Sequence, residues 1–366
     1  MKRIFAGLFF AAVFLYNGVA RAEARAALLM EYETGRVLYA QNAGEPLPMA
    51  STTKIMTALL ALENAALDER VTAGKNAFGV PGTSIYLAEG ETLTMEEMLL
   101  GLMLSSGNDA AVAIAEHVGG TAENFCRMMT ARAQAIGCEN TVFLTPHGLP
   151  AAGHHTTARD LTLIAREALR LPAFRRIVST QRAAIPWAGH EYSRVLTNKN
   201  RLLTSYPGAL GVKTGYTKAA GRCLVFAAER EGMTLVGAVL NCPDWFDEAE
   251  ALLNRGFDGW RMAAVLEKGE AVRRVPVEKG TKESVTAVAA RPLAAPMPKG
   301  QWPTLQIDLP AALPAGLKKG QEIGAAALLD GGETLISVPL VAGEDVPADT
   351  FLFRLFRIGC SWPCAD

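Results

Sequence analysis

The chain has 366 residues, half of them hydrophobic and a fifth charged, with 36 basic and 37 acidic side chains. That composition suits a globular protein of one large and one smaller domain, and it excludes the basic surface that a nucleic-acid partner requires. The five histidines show no H-E-x-x-H or similar ligand spacing, so no metal is expected.

Met1-Lys2-Arg3 is followed by an apolar run from Ile4 to Val19 and closed by Ala20-Arg21-Ala22. A basic start, an apolar middle and a small-x-small end make a secretory signal peptide. The run is short for a membrane span, and small residues close it. Ala22-Glu23-Ala24 is a second cleavage candidate. Removing residues 1–22 leaves 33 basic and 37 acidic residues, a formal charge of −4. The expected location is therefore outside the cytoplasm, in a periplasm or on the outer face of the cytoplasmic membrane. No cysteine follows the signal region, which speaks against an N-terminal lipid anchor. Cys126, Cys138, Cys223 and Cys242 read as isolated buried thiols, and Cys360-x-x-x-Cys364 at the tail is a weak signal.

Two apolar runs, Ala26–Met30 and Val37–Tyr39, flank Gly35 and predict a β-hairpin. Pro48 to Leu62 predicts a helix ending near Asn64, apolar on nearly every side and so buried. Ser51 and Lys54 stand three residues apart in its first turn, on one face. A second helix spans Thr94–Leu104, with a capping box from Thr94 and Glu97. Ser105-Ser106-Gly107-Asn108 interrupts it before a third helix, from Asp109 to His117. Further helices are expected over Ala122–Ile136, stopped by Gly137, and from about Thr157 to Leu169. Leu210 to Gly215 predicts a short strand, Leu224–Ala228 and Met233–Leu240 a hairpin turned at Glu231-Gly232, and about Asp244–Trp260 a closing helix. Strands at both ends and helices in the middle imply one mainly antiparallel sheet covered by helices. After Glu267 proline and glycine become frequent and short strand-like runs replace helices, which predicts a small all-β C-terminal domain. The expected bounds are 1–22 for the signal, 23–265 for the large domain, 266–349 for the β domain and 350–366 for a tail.

Three patterns occur once each and in order: Ser51-x-x-Lys54, Ser106-Gly107-Asn108 and Lys213-Thr214-Gly215. Any one alone is ordinary; the combination belongs to penicillin-interacting serine enzymes. With Pro146-His147-Gly148-Leu149, Asn200-Arg201-Leu202-Leu203 and Gly211 to Thr217 as flanking matches, the chain resembles the low-molecular-mass D-alanyl-D-alanine carboxypeptidases over roughly residues 25–265. These are serine penicillin-binding proteins that trim peptidoglycan stem peptides. The resemblance implies a penicillin-binding transpeptidase-like α/β domain and no cofactor. It implies peptidoglycan stems ending in D-Ala-D-Ala as substrate and β-lactams as covalent inhibitors.

Cleaving an amide needs a nucleophile, a base, an acid for the leaving amine and donors for the oxyanion. The resemblance assigns these to Ser51, Lys54, Ser106 and the backbone N–H groups of Ser51 and Tyr216. Asn108 orients Lys54 and the substrate amide, while Lys213 and Thr214 hold the terminal carboxylate. Gly215 lets an extended ligand lie against the strand. Three alternatives stand beside this expectation: a D,D-endopeptidase, a β-lactamase, and a non-catalytic wall-binding protein. No E-x-x-L-N segment lies between Asn108 and Lys213 to supply the second base of a class A β-lactamase. Around Asn241-Cys242-Pro243-Asp244, where some relatives carry a basic residue for the substrate carboxylate, this chain offers none. The run Phe351–Ile358 reads equally as an amphipathic helix in peripheral membrane contact or as a last strand.

Overall fold

The computed structural model describes residues 23–350. The signal region, Cys360, Cys364 and the tail run Phe351–Ile358 lie outside the described residues. The chain opens with β1 (Ala26–Glu31) and β2 (Val37–Gln41), a 3-10 turn (Ala50–Thr53) and α1 (Lys54–Asn64). A short pair, β3 (Arg70–Thr72) and β4 (Thr92–Thr94), precedes α2 (Met95–Leu104), α3 (Asn108–Gly119), α4 (Ala122–Ile136), α5 (Ala158–Ala168) and α6 (Pro172–Ser179). Then follow β5 (Arg182–Ile185), β6 (Arg194–Thr197), α7 (Leu202–Ser205), β7 (Ala209–Thr217), β8 (Gly221–Arg230), β9 (Met233–Leu240) and α8 (Trp245–Gly259).

The large sheet runs β2-β1-β9-β8-β7, antiparallel throughout, so strands from both chain ends meet in it as expected. Both faces are covered. Ala26, Leu28 and Met30 of β1 join the core under the helices, whereas Ala27 and Leu29 join the core under α8. β8 alternates in the same way, Val225 and Ala227 on one side, Leu224 and Phe226 on the other. A strand buried on both faces reads as a continuous apolar run, which is why these segments are recognisable in the sequence. β7 is left at the edge, facing the helices.

Helix ends fall where the local chemistry places them. The Thr94–Glu97 capping box starts α2, the Thr121 and Thr157 hydroxyls cap α4 and α5, and left-handed Gly137 stops α4. α1 is buried from Lys54 through Ala61 and touches α2, α3, α4, α5 and α6. It is the central helix of the domain.

The closing helix ends one residue earlier than expected, and Trp260 begins β10 (Trp260–Leu266). The remaining strands are β11 (Ala271–Glu278), β12 (Ser284–Ala289), β13 (Leu293–Pro298), β14 (Thr304–Asp308), β15 (Leu313–Pro314), β16 (Glu322–Asp330) and β17 (Glu333–Ala342). β10 pairs with β13, so residues 260–265 pair with the C-terminal β structure rather than with the large sheet. The other six strands form one sheet, in the order β14-β16-β17-β12-β11-β15, around Val275, Val285, Ala287, Leu328 and Leu340. Arg36 bridges the two halves: Nη1 donates to Pro296 O at 2.9 Å, its guanidinium lies 4.8 Å from the Trp260 ring, and it pairs with Asp330.

Candidate active site

Ser51 does not stand in an α-helix. It is the second residue of the 3-10 turn, and Lys54 begins α1. The hydroxyls of Thr52 and Thr53 fold back onto Met49 O (2.5 Å) and Ala50 O (2.9 Å), tightening this turn. In a 3-10 turn positions three apart eclipse, so the Ser–Lys spacing still aligns the two side chains. Ala50 takes a left-handed φ of 48°, and Ser106 one of 65°. Non-glycine residues rarely adopt that region, and it recurs at sites whose surroundings over-determine the backbone.

Lys54 is fully buried. Its Nζ lies 2.7 Å from Asn108 Oδ1, 2.7 Å from His147 O and 3.0 Å from Ser51 Oγ. The two carbonyl oxygens can only accept. A neutral amine has two hydrogens and one lone pair, so both hydrogens go to Asn108 and His147 and the lone pair turns to the Ser51 hydroxyl. Burial first, then the charges of Lys213 and Lys199, hold the Lys54 pKa well below the ordinary lysine value. In its neutral form, which the lowered proton affinity favours, Lys54 is placed to accept the Ser51 proton.

Ser106 and Asn108 come from the α2–α3 connection, both 4% exposed. Asn108 Nδ2 donates to Pro81 O at 2.7 Å and its backbone N–H to Thr83 O at 2.7 Å. Asp109 accepts from the backbone N–H groups of Ile85 and Leu87 and from Ser84 Oγ, and so pins residues 84–87 against the same loop. Farther along that segment, the buried Glu91 pairs with Arg194 of β6 at 3.0 Å.

The opposite wall is β7. Lys213 is 1% exposed, and its Nζ donates to Thr214 O at 3.0 Å. Burial, then Lys199, pushes its pKa down to about 7. Gly215 is a steric requirement: a Cβ there would stand 2.9 Å from the Ser51 nitrogen and 3.0 Å from that of Thr52. The strand thus runs directly past the serine amide, with Tyr216 next in line and 62% exposed. The structure brings Ser51, Lys54 and Asn108 into direct contact, and sets Gly215 against the serine turn.

Three contributors escape the motif reading. The His147 carbonyl fixes one Lys54 hydrogen. Gly148, at φ +89°, lets that loop approach the serine turn, since a Cβ would lie 1.9 Å from Ala50 O. Lys199, just after β6, lowers the proton affinity of both buried lysines. The quoted Pro146-His147-Gly148-Leu149 run was the available signal for the first two. His154 is structural, with Nε2 3.0 Å from Thr53 Oγ1 and Nδ1 accepting from Leu144 N–H.

A serine against a buried lysine of lowered proton affinity, beside a glycine-bearing edge strand, is the arrangement of the Ser-x-x-Lys class of serine peptidases. The comparisons narrow it. Residues 16–244 match the model of the D-alanyl-D-alanine carboxypeptidase family, and residues 260–348 match that of the penicillin-binding protein 5 C-terminal domain. The chain belongs to the D-alanyl-D-alanine carboxypeptidase family, as a serine peptidase. Among similar proteins, the carboxypeptidase DacF of Bacillus subtilis is 33% identical, covering 93% of this chain and 90% of its own length. DacC of Escherichia coli is also 33% identical, over 91% and 87%. The crystal structure of penicillin-binding protein 5 from Haemophilus influenzae superposes with a TM-score of 0.73 at 31% identity, covering 88% of this chain and 97% of that one. The expected fold class is confirmed in both its parts.

Proposed function

We propose that this protein is an exported D,D-carboxypeptidase that removes the terminal D-alanine from peptidoglycan pentapeptide stems through an acyl-enzyme on Ser51. Ser51 Oγ passes its proton to Lys54 Nζ and attacks the carbonyl of the penultimate D-alanine. The backbone N–H groups of Ser51 and Tyr216 hold the oxyanion. The proton returns through Ser106 to the departing nitrogen, D-alanine leaves, and water hydrolyses the ester by the reverse route. Asn108 keeps Lys54 aimed. Lys213 adds positive field and, with Thr214, receives the substrate carboxylate. β-Lactams carry a strained amide and a carboxylate in similar places, and they acylate the same serine.

The observation that carries this reading is the Lys54 contact set, two carbonyl acceptors and one hydroxyl around a buried amine. The names of the similar proteins supply the substrate class, and the sequence signal supplies export. The test is release of free D-alanine from a pentapeptide ending in D-Ala-D-Ala. The wild type is expected to release it and Ser51→Ala is not. Equal release by both contradicts the reading.

A further inference from the structure

In the β7–β8 ladder Tyr216 stands opposite Arg222, and Thr214 opposite Leu224. Directly opposed residues of an antiparallel pair share a face. Arg222 therefore emerges on the face that carries Thr214 and Tyr216, the side turned to α8. There Tyr216, Gly221, Arg222, Asn241, Pro243 and Trp245 line a cavity of about 600 Å³. It begins one residue beyond Gly215, whose backbone lies against the Ser51 amide. The acyl-transfer chemistry as assigned leaves this cavity without a task.

Arg222 is exposed, and its guanidinium makes one hydrogen bond, Nη1 to Pro243 O at 2.7 Å. Among the described residues no carboxylate lies within ion-pair distance of it. An arginine fork has five N–H donors; here one is tethered and the rest are available to a ligand. Tyr216 and Trp245 add aromatic walls, and Asn241, at a left-handed φ of 48°, adds an amide. A planar fork beside flat walls matches a carboxylate, which it grips through two parallel hydrogen bonds. Lys213, which donates to Thr214 O, offers a point charge without a fork, so it complements such a grip rather than replacing it. Arg222 also reaches the 241–244 loop, the very segment that offers no basic residue of its own.

We propose that Arg222 binds a carboxylate of the stem peptide in this cavity and thereby sets substrate affinity. The inference rests on the D,D-carboxypeptidase reading. Two carboxylates have the required chemistry: the C-terminal one on the leaving D-alanine, and one on a residue upstream of the scissile bond.

The experiment compares full-length wild type, Arg222→Lys and Arg222→Gln on three peptides. One ends in D-Ala-D-Ala with its carboxylates free, one has its C-terminus amidated, and one has its upstream carboxylate amidated. Released D-alanine or D-alaninamide gives kcat and KM, and penicillin labelling counts intact sites. On the free peptide Arg222→Gln is expected to raise KM about ten- to a hundredfold, the worth of a charge-assisted hydrogen bond. kcat should change little, and Arg222→Lys should fall between. The penalty disappears on whichever amidated peptide lacks the bound carboxylate, which identifies the source. An unchanged KM on the free peptide, or an equal penalty on all three, overturns the proposal while leaving the carboxypeptidase reading intact. A wild type that neither releases D-alanine nor takes up penicillin overturns both.

Discussion

Asn108→Asp tests the Lys54 assignment with little change of shape. In the wild type, Asn108 Oδ1 sits 2.7 Å from Lys54 Nζ, and Nδ2 donates to Pro81 O. Aspartate keeps an oxygen beside Nζ but adds a negative charge and turns a second oxygen toward the Pro81 carbonyl. Opposite charges about 4 Å apart attract by about 4 kcal/mol at an effective dielectric of 20, which would move a proton affinity by close to three pH units. Repulsion at Pro81 and water in the cleft reduce this, so a displacement of roughly one to two units is expected. The sign follows from the wild type, where burial, Lys213 and Lys199 hold the proton affinity of Lys54 well below that of an ordinary lysine. The variant holds that proton more tightly. Its acidic limb of kcat/KM should move to higher pH, with activity on that limb down by about ten- to a hundredfold and recovered as the pH rises. The assay is D-alanine release between about pH 5 and pH 10, with Asn108→Ala as the uncharged control. An unmoved limb with full activity at neutrality refutes Lys54 as the base. A loss of equal size at every pH places Asn108 on the substrate instead.

Other outcomes follow from the same contacts. Gly148→Ala forces a Cβ onto Ala50 O at left-handed φ; overpacking and backbone strain together cost roughly 2–4 kcal/mol. Calorimetry should then show Tm lowered by roughly 5–15 °C, with penicillin labelling slowed, and an unchanged Tm refutes the close packing. Lys213→Met should abolish turnover yet raise Tm on the acid side. The wild-type lysine has a folded pKa of about 7 against 10.5 for an ordinary lysine, so its burial penalty is full below about pH 7 and fades as the pH climbs to the ordinary lysine range. The Tm gap should narrow over that interval, and a gap that widens contradicts the sign. Glu91→Ala strands the Arg194 charge in a buried site, a loss of about 3–5 kcal/mol in urea unfolding; a change under about 1 kcal/mol would show the pair to be idle.

Much of the large domain was legible because its signals are local. β8 and β9 are buried on both faces and read as apolar runs, α2 has its capping box, and α4 ends on Gly137. The 182–197 hairpin and α6 are hard to read from sequence because these elements span only four to eight residues, fewer than a periodicity window needs. Ser51 was expected on an α-helix. The Thr52 and Thr53 hydroxyls instead close a tighter turn, a choice between two helix types that the residues alone leave open. The motif positions of the site were recognisable, yet their supports were not. His147 acts through a carbonyl, Gly148 through absent bulk, and Lys199 through proximity to two lysines distant in sequence. Arg222 acquires meaning only from the register that sets it opposite Tyr216.

The central claim is that Ser51 is the acylated residue. Intact-mass and peptide-mapping mass spectrometry of the full chain after incubation with a penicillin tests it most directly. The account predicts one stable adduct, mapped to the peptide that carries Ser51 and absent from Ser51→Ala. An unmodified wild type, or an adduct that persists in Ser51→Ala, contradicts it.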